Sequence, residues 1–285
     1  MNILGKLNRA PLSAKIGIGI LAINVICVLF APWIAPYAEG QVVGDPWAPG
    51  LVGAPEGDLA PTTLLGTDHL GRDVLSRLIF GARNSILIAL LTTTISFSIG
   101  ITCGLLAATM RGTVDQVLSR IVDVMMGFPT LIFALMVLAI LGSSIPVLIG
   151  VIALLDATRV FRITRAVAMD LEAQDFVEVA RLRGESIGWI MRRELLPNAV
   201  SPLAAEFGLR FCFVFLFIAT LSFVGLGIQP PTADWGSMVR ENAAAISFGI
   251  LMPLFPASAI ALLTVAVNMI VDWAVASTSG VRNDN

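Results

Sequence analysis

Five long stretches of this chain are almost or wholly free of charge, and they fix its solvent. Ile16–Ala35, Asn84–Met110 and Val124–Leu155 carry no charged residue, Ala199–Ile228 carries Glu206 and Arg210, and Pro253–Trp273 carries Asp272. A helix needs roughly 20 residues to cross about 30 Å of hydrocarbon, so each stretch is long enough to span a bilayer. Charged residues make up 13% of the chain, against about 25% in a soluble domain, too few to coat a globule of this size in water. The net charge of −2 gives no basis for a nucleic-acid partner.

The sequence predicts an all-α integral membrane protein with six spans. Val124–Leu155 is too long for one crossing and is broken by Gly142-Ser143-Ser144-Ile145-Pro146, a composition suited to a tight turn. A third span is therefore expected from about Val117 to Leu141 and a fourth from Pro146 to Arg165. The basic start followed by Ile16–Ala35 has the outline of a signal peptide, but lacks a small-x-small cleavage site and is expected to be a retained first span. With the N-terminus inside, the inner segments hold thirteen Lys and Arg residues, Lys6, Arg9, Lys15 and Arg282 among them, and the outer ones four. By the positive-inside rule both termini face the cytoplasm, with Gly57 and Ser237 outside and Ser186 inside. The expected organisation is residues 1–36, N-terminus and first span; 37–83, external segment; 84–275, a five-helix core with an inner loop at 170–198; and 276–285, a cytoplasmic tail. Cys27, Cys103 and Cys212 are far apart within apolar runs, which is neither a metal spacing nor a disulfide framework.

The inner loop is unusual because it is helical in pattern. Phe176, Val179 and Ala180 share one face, Ile187, Ile190, Met191 and Leu195 another, with Gly184 as an elbow between them. Pro197 is expected to stop the second helix, because its ring excludes a continuing turn. An amphipathic element of this kind suits the lipid surface or a groove on a soluble partner, and periodicity does not choose between them.

The same loop carries Glu178-Val179-Ala180, then Gly184, then Leu196-Pro197, which resembles the EAA signature of membrane subunits of ATP-binding-cassette (ABC) importers. Val179 stands where that pattern has a small residue, and Glu194 where it has isoleucine. Leu65–Arg83 (LGTDHLGRDVLSRLIFGAR) and Leu221–Gly236 (LSFVGLGIQPPTADWG) are similar to the dipeptide/oligopeptide/nickel permease family, in its second, C-type subunit. The resemblance covers roughly residues 65–275. It implies a permease that pairs with a second, homologous permease, docks on two ATPase subunits and receives substrate from an extracytoplasmic binding protein, in the bacterial inner membrane and among its lipids. ATP and Mg would belong to the ATPase subunits, and the substrates of such a family are peptides, nickel chelates, opines and similar solutes. It implies that Glu178, Ala180, Arg181, Gly184, Glu185, Leu196 and Pro197 couple the permease to an ATPase, which favours the groove over the lipid surface.

Other residues keep two readings. Asp68, Arg72 and Asp73, with Asp234 and Trp235, form either an external gate and binding-protein contact or a structural turn with paired charges and an interfacial tryptophan. His69, the one histidine, is expected to be a solvated loop residue with no clustered partner for a metal. Glu206 and Arg210, four residues apart on one helix face, are either a self-satisfied pair or part of the pathway, with Arg210 facing substrate carboxylates. Lys6 and Lys15 are the only lysines and neither lies in a P-loop, and no nucleophile stands beside a base and an orienting group. The chain is therefore not expected to be an enzyme. Rival readings are a secondary transporter driven by an ion gradient, which would need coupling residues at the midplane, and an intramembrane enzyme.

Overall fold

A computed structural model describes residues 10–51 and 63–278. Lys6, Arg9, Gly57, Arg282 and most of the expected tail lie outside the described residues. Among the described residues the chain is helical, with no strand and only two isolated bridges, Val42 to Arg72 and Thr67 to Asp73. The helices are α1 (Leu12–Ile34), α2 (Val74–Met110), α3 (Gly112–Met126), α4 (Thr130–Leu141), α5 (Ile145–Glu172), α6 (Asp175–Leu182), α7 (Ile187–Ile190), α8 (Leu196–Val224), α9 (Trp235–Glu241) and α10 (Leu254–Thr278).

Among the described residues four continuous helices are long and apolar enough to cross a membrane: α1, α2, Ile187–Val224 and α10. A fifth crossing is available if the pair α3 and α4 counts as one span. That pair corrects the straight third span expected from Val117 to Leu141, because its halves are bent by 87°. The break falls at Gly127-Phe128-Pro129, where Pro129 disfavours helical backbone at Phe128. The turn predicted at 142–146 is present, with α4 ending at Leu141 and α5 starting at Ile145. Helix α5 is 28 residues long, but Asp156, Arg159, Arg162 and Arg165 make it less apolar than the others.

The chain divides into two compact units. The first is built from Met1–Leu90, Ser143–Ile145 and Phe215–Ala276, the second from Leu91–Gly142, Pro146–Val214 and Ser277–Asn285. In the first, α1 meets α10 at Gly17, where an added Cβ would lie 2.8 Å from the Ala266 carbonyl oxygen. In the second, α2 meets α5 at Gly100, where a Cβ would lie 2.5 Å from Val160 Cβ. Small residues allow this backbone approach, and in lipid van der Waals packing of that kind holds helices together. Large apolar side chains such as Ile23, Trp33, Val124, Ile132 and Ile140 face outward, as they do where hydrocarbon is the solvent.

Pro197 does not stop the second loop helix, contrary to the expectation from sequence. Helix α7 runs through a π turn at Met191–Leu195 directly into α8. The carbonyl four residues before Pro197 belongs to Arg193, inside that wide turn. There the usual i to i−4 bond is already replaced, so the missing proline N–H forfeits little.

Candidate functional site

The 170–198 segment is seated by its small and branched apolar residues. Val177 and Ala180 of α6 pack with Leu105, Ala108, Ala168, Ile190 and Leu195 in one buried cluster. This corrects the predicted face of Phe176, Val179 and Ala180, since Phe176 and Val179 are exposed and Val177 takes their place inside. Ala180, 1% exposed, therefore holds the helix to the rest of its unit and offers no surface to another protein. Glu178 is exposed on the opposite side, beside Val179 and Leu182, the latter 82% exposed. The outer face of α6 thus combines one carboxylate with bare apolar side chains.

Gly184 has φ +79°, with no atom within 4 Å of where a Cβ would be. The elbow thus needs left-handed backbone, which glycine adopts at little cost. Around it, Arg183 Nη2 donates to Glu185 Oε1 at 3.2 Å and its guanidinium lies 5.4 Å from the Trp189 ring centre. Arg181 turns back to Glu172, 2.6 Å away, and Leu196 and Pro197 begin α8, partly buried and exposed respectively.

The second group is the run around Asp68. Asp68 Oδ2 is 2.7 Å from Arg72 Nε and 3.3 Å from Arg77 Nε, while Glu241 Oε2 is 3.0 Å from Arg72 Nη2 and 3.1 Å from Arg77 Nη2. Two carboxylates and two guanidiniums form a closed, charge-balanced square, with Asp68 0% and Arg77 1% exposed. Asp73 Oδ2 accepts from the Ser76 N–H at 2.8 Å and Ser76 Oγ at 2.6 Å, which caps the start of α2 in the manner that favours Asp there. Asp234 does the same for α9, accepting from the Ser237 N–H at 2.9 Å and from Ser85 Oγ at 2.8 Å. Burial pushes the Asp234 carboxyl above the usual carboxylate range, while hydrogen bonds from Ser237, Ser85 and Ser222 pull it the other way. The Trp235 indole N–H donates to the Leu78 carbonyl at 2.9 Å and its ring meets Phe215 edge-on.

Asp68, Arg72, Asp73, Asp234 and Trp235 are all buried within the chain. None of the five presents a side chain at the surface of the chain, and of the two readings it is the structural turn with paired charges that this burial supports. The interfacial reading of Trp235 fails for the same reason, its polar N–H being satisfied inside. Nor is His69 the residue without clustered partners expected from sequence: its Nδ1 is 3.9 Å from Glu241 Oε2, and Asp68, His69 and Glu241 could offer three ligand atoms within 4.8 Å. Both carboxylates there are already bound by arginines, a cationic setting that opposes a metal ion.

The third group joins Glu206 and Arg210 as the spacing predicts, with Arg210 Nε 2.5 Å from Glu206 Oε1. Sequence reasoning missed its other members. Asp156 Oδ1 lies 3.8 Å from Arg210 Nη1, and Asp156 Oδ2 accepts from Ser96 Oγ at 2.8 Å. Two carboxylates therefore surround one guanidinium, which also lies 5.0 Å from the Phe213 ring centre. The available signal was an acidic residue within the predicted fourth span, since charge at membrane depth demands a partner. Arg77 and Glu241 gave no such signal, because pairing across 164 residues leaves no spacing to read.

A model described as the binding-protein-dependent transport system inner membrane component matches residues 100–278. The chain is similar to the di/tripeptide transport system permease protein DppC of Pseudomonas aeruginosa, 38% identical over 259 residues, 90% of this chain and 84% of that protein. It is also similar to the glutathione transport system permease protein GsiD of Escherichia coli, 36% identical over 249 residues, 87% of this chain and 80% of that one.

Proposed function

The chain belongs to the family of binding-protein-dependent transport system inner membrane components, as a permease subunit of an ABC transport system, and we propose that it imports small peptides. It forms the translocation pathway together with a second, homologous permease. Two ATPase subunits, which bind ATP and Mg, dock on the 170–198 segment, and an extracytoplasmic binding protein delivers the substrate. The membrane protein crosses six times, through α1, α2, the bent pair α3 and α4, α5, α8 and α10, with both termini in the cytoplasm. Ser96 and Arg210, which partner Asp156 within one unit, support a crossing by α5 despite its charges.

The observation that carries this reading is the two-sided helix α6. Its Val177 and Ala180 are locked into the membrane helices while Phe176, Glu178, Val179 and Leu182 stand outward. A helix gripped on one face and apolar on the other fits an element that converts movement of a docked partner into movement of the helices beneath it. Substrate class rests on the relatives, whose names specify di/tripeptides and glutathione, solutes that share a peptide-like backbone with charged ends.

The test is uptake into proteoliposomes containing this chain, the second permease and both ATPases, with the binding protein outside. Labelled di- and tripeptides should accumulate only with ATP inside and binding protein outside. Accumulation by the two permeases alone, driven by an imposed ion gradient, would establish a secondary transporter instead.

A further inference from the structure

Polar contacts of Arg181 tie the loop to the helices beside it, and the acid among them lies outside every motif the sequence offered. Glu172 is the last residue of α5, and its side chain is 0% exposed. Its Oε2 accepts from Arg181 Nη2 of α6 at 2.6 Å, and the same oxygen is 3.9 Å from Arg111 Nη2. Arg111 is the residue between α2 and α3, held at φ +48°. Arg181 Nη2 also reaches the Thr109 carbonyl near the end of α2, at 3.4 Å. The other carboxylate oxygen of Glu172 is buried without a hydrogen-bond partner. Every other contact of α6 with α2 and α5 described above is apolar and non-directional: Val177 and Ala180 against Leu105, Ala108 and Ala168.

We infer that Glu172 is a positioning residue for coupling, a latch that ties α6 through Arg181 to the end of α5 and to the α2–α3 corner. Apolar packing grips a helix without assigning any side chain one obligatory partner. A buried carboxylate has no such freedom. Withdrawing it from its guanidinium leaves an uncompensated buried charge, so a displacement of α6 must carry α5 and the corner with it. The same Oε2 lies 3.9 Å from Arg111 Nη2, within about an ångström of hydrogen-bonding range, so a second cation beside the acid draws the α2–α3 corner into the latch. The inference rests on α6 being the element that docks the ATPase.

The experiment uses the reconstituted complex of two permeases and two ATPases, with binding protein, comparing parent, Glu172→Gln, Arg181→Met and the swap Glu172→Arg with Arg181→Glu. Copurification of the ATPases, ATP hydrolysis and peptide uptake are measured on each. Glu172→Gln, at a side chain 0% exposed, should keep the ATPases bound and still hydrolyse ATP, and in Arg181→Met uptake is referred to the ATP hydrolysed by the ATPases that remain bound. Peptide taken up per ATP should fall at least about tenfold, the size of an ordinary coupling free energy between sites, and the swap should recover part of that ratio. A purely structural role would lower yield and thermal stability and leave uptake per ATP unchanged. Arg181 is 44% exposed at its side chain, so Arg181→Met retains a readout should Glu172→Gln fail to fold. Parental uptake per ATP in Arg181→Met, or a swap no better than the single variants, overturns the latch. If the parent complex itself shows no ATP-dependent uptake, the docking reading of α6 fails first.

Discussion

Removing Arg210 should destabilise the protein before it alters what is transported. The guanidinium lies 2.5 Å from Glu206 and 3.8 Å from Asp156, with side chains 15%, 15% and 7% exposed. Two unit charges about 4 Å apart attract by about 4 kcal/mol at an effective dielectric constant of 20, and desolvation offsets much of that in the intact cluster. Arg210→Met deletes the attraction and keeps the desolvation of two acids. Removing one partner of a buried pair costs about 3–5 kcal/mol, close to the 2.5–3.5 kcal/mol or so for a charge at mid-bilayer. Adding Glu206→Gln removes one stranded charge, while Asp156 still accepts from Ser96, so the double variant should regain roughly half of the loss. Denaturant titration of the purified protein in mixed micelles measures both differences. Of the two readings of this pair, the one in which Arg210 faces a substrate carboxylate has two acids against it. Parental stability in Arg210→Met, within about 0.5 kcal/mol, together with selective loss of acidic peptides in uptake, would refute the closed cluster and restore that reading.

At Gly184 the strain is conformational and not steric, since the space around it is open. Stability and ATPase copurification should therefore fall in the order Asn, Ala, Val, with Ala costing about 1–2 kcal/mol and the β-branched Val more. Asp68→Ala leaves two buried guanidiniums, Arg72 and Arg77, sharing Glu241 alone and should lower stability by about 3–5 kcal/mol in the same titration, whereas Asp73→Ala removes only a helix cap and should cost about 1–2 kcal/mol. In a background lacking Cys27, Cys103 and Cys212, an impermeant thiol reagent should label Ser247→Cys from outside and Ser186→Cys only after permeabilisation. Ser247 serves because it is exposed, whereas Ser237 is buried. Labelling of Ser186→Cys in intact cells would refute the six-span arrangement.

What the sequence determined by itself was the solvent and the helical class, whereas Val74–Met110 starts ten residues before the expected Asn84 and Ile187–Val224 runs through the expected stop at Pro197. Uncharged runs of 20 or more residues leave the bilayer as their environment, because every backbone polar group must then be satisfied within its own helix. The Gly142–Pro146 break, the need for glycine at 184 and the pairing of Glu206 with Arg210 were legible because each depends on residues within a few positions of one another. Tertiary structure decided which polar residues face anything. Asp68, Arg72, Asp73, Asp234 and Trp235 look like a displayed surface motif in one dimension. They are buried because Arg77, Ser85, Leu78 and Glu241, some from distant parts of the chain, close around them. Asp156 and Glu172 gained their partners in the same way, Arg210 coming from a helix 54 positions further on and Arg181 from across a turn. Local spacing reports on a helix's own face, whereas the burial of a charge is set by the neighbours that folding brings, and no period in the sequence encodes them.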